Sequence, residues 1–170
     1  MKGITPFLWF DDQAEGAANF YVSVFSGLDG SGGEGPTRIT DVARYGKSAT
    51  EAAGRPEGSV MTVAFQLAGQ ELVALNGGPE FTFTEAVSLM VNCESQEEVD
   101  QLWEKLSEGG EQGPCGWLKD RYGLSWQVVP TVLNEMLHDE DRDRAERVMA
   151  AMLQMKKIEI PGLQAAYEQS

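Results

Sequence analysis

One polar side chain interrupts an apolar strand near the end of the sequence. The segment RYGLSWQVVP, residues 121–130, reads as a turn followed by a strand that ends at a proline, and Gln127 lies inside the apolar run. Two explanations are open. Gln127 satisfies a neighbouring backbone group, as buried amides often do, or it presents a polar atom to a ligand. The choice decides whether this strand belongs to a functional site.

The sequence offers few residues for nucleophilic or metal chemistry. It has one histidine, His138, and two cysteines, Cys93 and Cys115, without C-x-x-C spacing. A Ser–His–Asp or Cys–His nucleophile needs a histidine at the site, and one histidine without partners makes no metal site. We expect His138 to be an exposed helix residue and the cysteines to be buried or inert thiols of a cytosolic protein.

Acidic residues are more numerous, but their positions indicate structural roles. Asp11, Asp12 and Glu94 lie where predicted strands end and helices begin, so we expect caps and solvated charges there. Glu80 follows an Asn-Gly-Gly-Pro turn and is a weak candidate for a general base. The identity of any catalytic residue is unknown at this level.

The bulk composition is that of a globular domain. The chain has 170 residues, of which 42% are hydrophobic and 24% charged, so it can bury a core without a disulfide or a metal. Its formal charge of −14 disfavours nucleic acid and anionic membranes as partners. There is no run of about 18 apolar residues and no signal-peptide pattern, and we expect a cytoplasmic location.

The hydrophobic pattern occurs twice. Residues 4–25 and 87–106 each open with a short apolar strand, continue with a capping-box motif, and end in a helix with one apolar face. The predicted capping pairs are Asp12 with Glu15 and Ser95 with Glu98. Each helix is followed by further strands, and a loop is predicted over 47–58. Two βαβββ modules of this kind predict an α+β fold in which the modules form a cupped sheet with helices outside.

The predicted organisation is a single domain over residues 1–170. Module one spans 3–78, module two spans 85–130, and a helical tail spans 131–170. The tail reads as about three short helices, the last beginning near Pro161. Its apolar stripe of Ala145, Val148, Met149, Met152 and Leu153 is typical of core or of a subunit interface.

Several long strings resemble a known family. The doubled plan resembles the vicinal oxygen chelate superfamily, which includes glyoxalase I and bleomycin-resistance proteins. The strings FLWFDDQAEGAANFYVSVF, residues 58–110, GPCGWLKDRYGLSWQVVP and RVMAAMLQMKKI resemble its PhnB-like group, labelled 3-demethylubiquinone-9 3-methyltransferase. The resemblance covers nearly the whole chain and is weakest in the glycine-rich loop at 27–35.

The resemblance implies where a metal would bind in related enzymes. Their ligands, usually His or Glu, lie on the first and last strands of each module. The equivalent positions here fall near Thr5, Asn76 and Ser88, and at Gln127. All four side chains are neutral, whereas divalent cations prefer carboxylate or imidazole ligands. We therefore expect neither a metal nor another cofactor.

Strand alternation predicts which residues line the cup. We expect the ligand-binding residues to be Thr5, Phe7, Trp9, Asn76, Ser88, Met90, Asn92, Trp117 and Gln127. Leu8, Phe10 and Trp126 should then point towards the helices. A competing interpretation is that the large side chains fill the cup and leave no cavity, because protein interiors pack densely.

Two functions of different class follow. The first is a metal-free protein that binds a small aromatic or hydrophobic ligand. The second is an enzyme acting on a quinone-like or phenolic substrate, as the family label implies. We expect no S-adenosylmethionine site, because neither glycine cluster, at 26–35 or at 75–81, lies between a parallel strand and a helix. A homodimer is expected because open sheet edges need cover and because the superfamily commonly pairs subunits.

Overall fold

The structure, a computed structural model, describes residues 3–28 and 35–169. The chain divides into two compact units, Met1–Thr82 and Phe83–Ser170. Each unit holds one four-stranded mixed sheet with helices. The predicted α+β class, with two βαβββ modules and C-terminal helices, is confirmed. Part of the predicted glycine-rich loop, residues 29–34, lies outside the described residues.

The first unit is built around a sheet in the order β1-β4-β3-β2. Its strands are β1 Phe7–Phe10, β2 Arg38–Arg44, β3 Val60–Leu67 and β4 Gln70–Asn76, and its helices are α1 Ala14–Ser26 and α2 Lys47–Ala53. Only the β1–β4 pair is parallel. Helix α1 covers one face because its apolar side chains recur at helical spacing, and Tyr21 stacks on Phe65 of β3 with ring centroids 6.1 Å apart.

The start of α1 differs from the prediction. The pair Asp12 and Glu15 was expected to form a capping box, but the N-cap residue is Gln13 and its side chain makes no capping hydrogen bond. Instead the Ala14 backbone N–H donates to Oδ1 of Asn76, 2.8 Å away. The capping-box prediction is wrong here because the sheet, not the preceding turn, satisfies the helix N-terminus.

The predicted loop at 47–58 also proved to contain structure. Helix α2 occupies Lys47–Ala53 and ends at Gly54, whose φ of 66° is the left-handed conformation typical of a glycine after a helix. None of its residues is buried. The helix therefore produces no apolar stripe, which is the signal that sequence patterns detect.

The second unit has a sheet in the order β5-β8-β7-β6 and carries the tail. Its strands are β5 Ser88–Cys93, β6 Glu111–Gln112, β7 Trp117–Lys119 and β8 Ser125–Pro130, and its first helix is α3 Gln96–Ser107. The predicted capping residue of α3 is confirmed, because Ser95 Oγ accepts from Glu98 N at 3.2 Å. The Glu98 carboxylate reaches back to the backbone N–H of Glu94, 2.7 Å away.

Three tail helices follow β8, as predicted. They are α4 Thr131–Leu137, α5 Arg142–Met152 and α6 Ile160–Glu168. Their core contains Leu133, Met136, Val148, Ile158 and Leu163, with Met152 and Met155 packed against it. Of the predicted stripe, Val148 lies in this core and Met152 packs against it. Leu153 lies beyond the helix and is exposed. Among helices in the described ranges, none has the length and apolar character needed to cross a bilayer.

Candidate functional site

The sheet of the second unit has one face covered by α3 and one face that α3 leaves open. Strand register fixes which side chains share a face, because cross-strand partners point the same way. Leu89, Trp126 and Leu118 are aligned across β5, β8 and β7 on the covered face. The open face carries the alternate residues of the same strands: Ser88, Met90, Asn92, Trp117, Lys119, Ser125, Gln127 and Val129. The predicted alternation along β8, with Trp126 towards the helix, is therefore confirmed.

A buried carboxylate holds this alternation in place. Asp120 Oδ1 accepts from the backbone N–H groups of Tyr122 and Leu124, at 2.8 and 3.1 Å. Its Oδ2 accepts from the indole N–H of Trp126, 2.8 Å away. The turn between β7 and β8 is thereby tied to the covered side of β8. Since a shift of one residue would reverse every side chain, this contact keeps Gln127 on the open face.

Two rows of side chains cross the open face. One row aligns Trp117, Gln127 and Met90, and the next aligns Lys119, Ser125 and Ser88. The rows lie about 7 Å apart, which is two residues along a strand, and neighbouring strands lie about 4.8 Å apart. The first row is dominated by large apolar surface and the second is polar. A molecule with a flat apolar part and a polar end fits this arrangement.

Gln127 and Ser88 hydrogen-bond to each other across the rows. Gln127 Nε2 donates to Ser88 Oγ, 2.9 Å away. The hydrogen bond answers the question raised by a glutamine in this strand, since the partner of its amide nitrogen is a side chain of the open face rather than a backbone group. Both residues were expected at this site, and the structure brings them together.

A cavity of about 380 Å³ adjoins these rows. Its lining residues all belong to the second unit: Glu85, Glu111, Gln112, Gly113, Pro114, Trp117, Leu118, Lys119 and Ser125. Trp117 was predicted as a binding residue, whereas Glu85 and Lys119 were missed. For Lys119 the signal was present, because a residue two positions from Trp117 on one strand shares its face. Glu85 lies in a loop and gave no such signal.

The charged groups of the cavity form an ion pair. Lys119 Nζ lies 2.5 Å from Glu85 Oε1. The hydrogen bond to Lys119 lowers the pKa of Glu85, and the same bond raises the pKa of Lys119. Both shifts favour the charged forms, so the pair stays ionised around neutral pH. Both side chains are substantially exposed, and exposed pairs of this kind contribute little to stability.

The corresponding face of the first sheet carries Phe7 and Trp9. Their neighbours Leu8 and Phe10 are buried on the α1 side, as predicted. Phe7 is exposed, whereas Trp9 packs within its own unit: its indole N–H donates to Gly78 O at 2.9 Å, and its ring meets that of Phe81 edge to face at 5.0 Å.

Two residues of the predicted binding set do not fit the role given to them. Asn76 lies on the covered face with Phe10, its Oδ1 bound to Ala14 N and its Nδ2 donating to Val60 O at 3.0 Å. Its side chain holds the start of α1, and both polar atoms of its amide already have a backbone partner. Thr5 is exposed and precedes β1, which begins at Phe7 rather than near Ile4.

These positions do not suit the divalent metal that the resemblance implies. Asn76 is bonded to backbone groups and Gln127 to Ser88. The oxygens at these positions are all neutral, whereas divalent cations prefer carboxylate or imidazole ligands. Within residues 3–28 and 35–169, no three His, Cys, Asp or Glu side chains are grouped so that they could hold a metal ion. The residues at these positions therefore do not fit a divalent metal ion.

The remaining residues considered from the sequence lie outside this site. His138 is exposed at the end of α4, as expected, with its Nδ1 2.8 Å from Asn134 O. Asp11 forms an ion pair with Arg55 at 2.9 Å, and Glu80 is exposed. Both cysteines are free thiols, Cys93 buried and Cys115 half-buried.

Comparisons with known proteins agree with the fold. The chain has the architecture of the vicinal oxygen chelate superfamily, with two βαβββ modules. A family model described as 3-demethylubiquinone-9 3-methyltransferase matches residues 2–129, and the chain belongs to this family. A PhnB protein from Bacillus cereus is 34% identical, with a TM-score of 0.61 over 76% of this chain and 100% of that chain.

More distant structures share the fold alone. Protein PA1353 from Pseudomonas aeruginosa is 19% identical, with a TM-score of 0.57 over 76% of this chain and 98% of that one. The fosfomycin resistance protein FosX from Listeria monocytogenes is 15% identical, with a TM-score of 0.55 over 82% of this chain and 99% of that one. A comparison with curated proteins found no match.

Proposed function

We propose that this protein binds a small aromatic or hydrophobic molecule on the open face of its second sheet, without a metal ion. The observation that carries the proposal is the Gln127–Ser88 hydrogen bond next to Trp117 and Ser125, two residues that line a cavity of about 380 Å³. A concave, mainly apolar site with a few fixed polar groups is the usual form of a small-molecule site, and this volume is within its usual range.

The exposure of this face supports the same proposal. Met90, in the row of Trp117 and Gln127, is 55% exposed. Apolar side chains left in water beside a cavity favour a bound apolar partner, because its binding removes their surface from water. In the first unit, Phe7 is an exposed apolar residue of the corresponding face, and Thr5 and Asn76 are not part of the proposed site.

An enzyme acting on a quinone-like or phenolic substrate is the second function that the family description suggests. The open face of the described second sheet presents Ser88, Ser125, Lys119 and Gln127, and its one ammonium group is paired with Glu85. A general base near neutral pH needs a pKa tuned towards 7, whereas the pKa of Lys119 is raised. Binding alone is therefore the function that these residues support best.

The test is calorimetry with 2-naphthol in the presence of EDTA. We expect saturable binding in the wild type and at least a tenfold weaker affinity in Trp117→Leu, because the flat wall beside the cavity is lost. Leu153→Ala is the matched control, since it removes an exposed apolar side chain from the tail and should bind like the wild type. Absence of binding, or an equal loss in both variants, would contradict the proposal.

We also propose a cytoplasmic homodimer. Each sheet has two edge strands, β1 and β2 in the first and β5 and β6 in the second, and unpaired edges favour pairing or cover. The two free thiols suit a reducing compartment. Light scattering at micromolar concentration should give twice the chain mass, and a monomer would contradict the dimer.

A further inference from the structure

We infer that Ser125 sets the specificity of this site and that its ligand is a neutral aromatic molecule with one hydrogen-bonding oxygen, such as a phenol or an aryl ketone. The inference rests on the proposed binding function and narrows it to a chemical class. Among the described residues of the cavity wall, Ser125 has a buried side-chain oxygen without a hydrogen-bond partner.

Ser125 lines the cavity but is almost completely buried. Its relative exposure is 1%, and its Oγ has no hydrogen-bond partner among the residues that the structure describes. Buried hydroxyls nearly always have a partner, so an unpartnered one at a cavity wall needs an explanation. A hydrogen bond to a ligand oxygen would account for this hydroxyl, since a hydroxyl both donates and accepts. Rotation between staggered rotamers can turn the hydroxyl without moving the strand.

The position of Ser125 on the sheet sets the shape of the ligand. It stands in the polar row between Lys119 and Ser88, one row from Trp117. The rows are about 7 Å apart, which is close to the length of a fused pair of aromatic rings with one substituent. A ring system lying against Trp117 therefore brings its substituent to Ser125.

The charges around the cavity select against an anionic substituent. The ionisable side chains in its wall are Glu85, Glu111 and Lys119, two carboxylates against one ammonium, which gives a net charge of −1. Lys119 is already bonded to Glu85, and Glu111 also raises the pKa of Lys119. A carboxylate or phosphonate ligand would have to displace Glu85 from Lys119 and face Glu111. A neutral oxygen meets neither obstacle.

The experiment compares three ligands that share one ring system. Naphthalene, 2-naphthol and 2-naphthoate are titrated by NMR into the wild type, Ser125→Ala and Glu85→Gln, with Ser23→Ala as a control that removes an exposed serine hydroxyl from α1. We expect the wild type and the control to bind 2-naphthol about tenfold tighter than naphthalene, and 2-naphthoate most weakly.

The variants should change these preferences in different ways. Ser125→Ala should bring naphthol and naphthalene within about twofold of each other. Glu85→Gln should strengthen naphthoate binding several-fold, because it frees Lys119. Naphthol binding that is unchanged in Ser125→Ala, or a wild type that prefers naphthoate, would overturn this inference and leave the proposed function intact. If none of the three ligands binds, the proposed function fails as well.

Discussion

Replacement of Asn76 by alanine should destabilise the fold, because this side chain joins the sheet of the first unit to the start of α1. Asn76 Oδ1 accepts from Ala14 N, and Nδ2 donates to Val60 O. Asn76→Ala leaves both backbone groups without these partners. Each buried group left unsatisfied costs about 1–3 kcal/mol, so we expect a loss of about 3 kcal/mol in the free energy of unfolding.

Chemical and thermal unfolding followed by circular dichroism measure this loss. For a protein of this size each kcal/mol corresponds to about 2–4 °C in Tm, so the expected fall is roughly 6–12 °C. Asn76→Asp should lose about half as much, because its carboxylate still accepts from Ala14 N at a helix N-terminus but cannot donate to Val60 O. Asn92→Ala, on the open face and exposed, is the matched control and should change stability by less than about 0.5 kcal/mol.

The result also separates two roles for Asn76. A ligand-binding residue of the kind expected from the sequence would affect 2-naphthol affinity and leave Tm nearly unchanged. If Asn76→Ala melted within a degree of the wild type, the assignment of this residue to the covered face and to the start of α1 would be refuted.

Three further predictions concern caps, thiols and the methyl donor. Ser95→Ala should cost about 1 kcal/mol in unfolding free energy because it removes the cap of α3, whereas Asp12→Ala should be nearly neutral; equal losses in urea titrations would contradict this. Burial raises the pKa of the Cys93 thiol to about 12. The buried neutral thiol therefore contributes to folding stability below its unfolded pKa of about 8.5, and this contribution is lost as the pH rises towards 12. At pH 8 a thiol reagent should therefore modify Cys93 only after unfolding, and rapid labelling of Cys93 in the native protein would be inconsistent with that. Calorimetry with S-adenosylmethionine up to about a millimolar should show no heat of binding. Even a weak site, with a binding free energy of roughly 4 kcal/mol, would be detected at that concentration. Saturable binding together with methyl transfer to a phenol would overturn this prediction.

The features that the sequence predicted well are those that depend on local periodicity. The face of each residue along β8 follows from strict alternation, and the stripe of α3 follows from four apolar residues at helical spacing, all of them buried. The cap of α3 was predictable for the same reason, since Ser95 and Glu98 are neighbours in sequence. Such signals need no knowledge of the tertiary fold.

The features that the sequence did not predict depend on contacts between residues that are far apart in the chain. Asn76 caps a helix that begins 62 residues earlier, whereas the local sequence pattern points to the neighbouring Asp12. Glu85 pairs with Lys119 across 34 residues, and neither residue alone indicates the pair. Local patterns carry no information about such partners. They meet only when β4 and α1, or β7 and the loop before β5, come together in the fold.

The most direct test of the binding site is a nitrogen–proton NMR titration of EDTA-treated protein with 2-naphthol. Two side-chain signals report on the site, the indole N–H of Trp117 and the amide group of Gln127. We predict that both shift saturably and together, while the indole signal of Trp126, which is bonded to Asp120 on the covered face, stays nearly constant. Unchanged Trp117 and Gln127 signals, or shifts that appear only after a divalent metal is added, would contradict a metal-free binding site on this sheet.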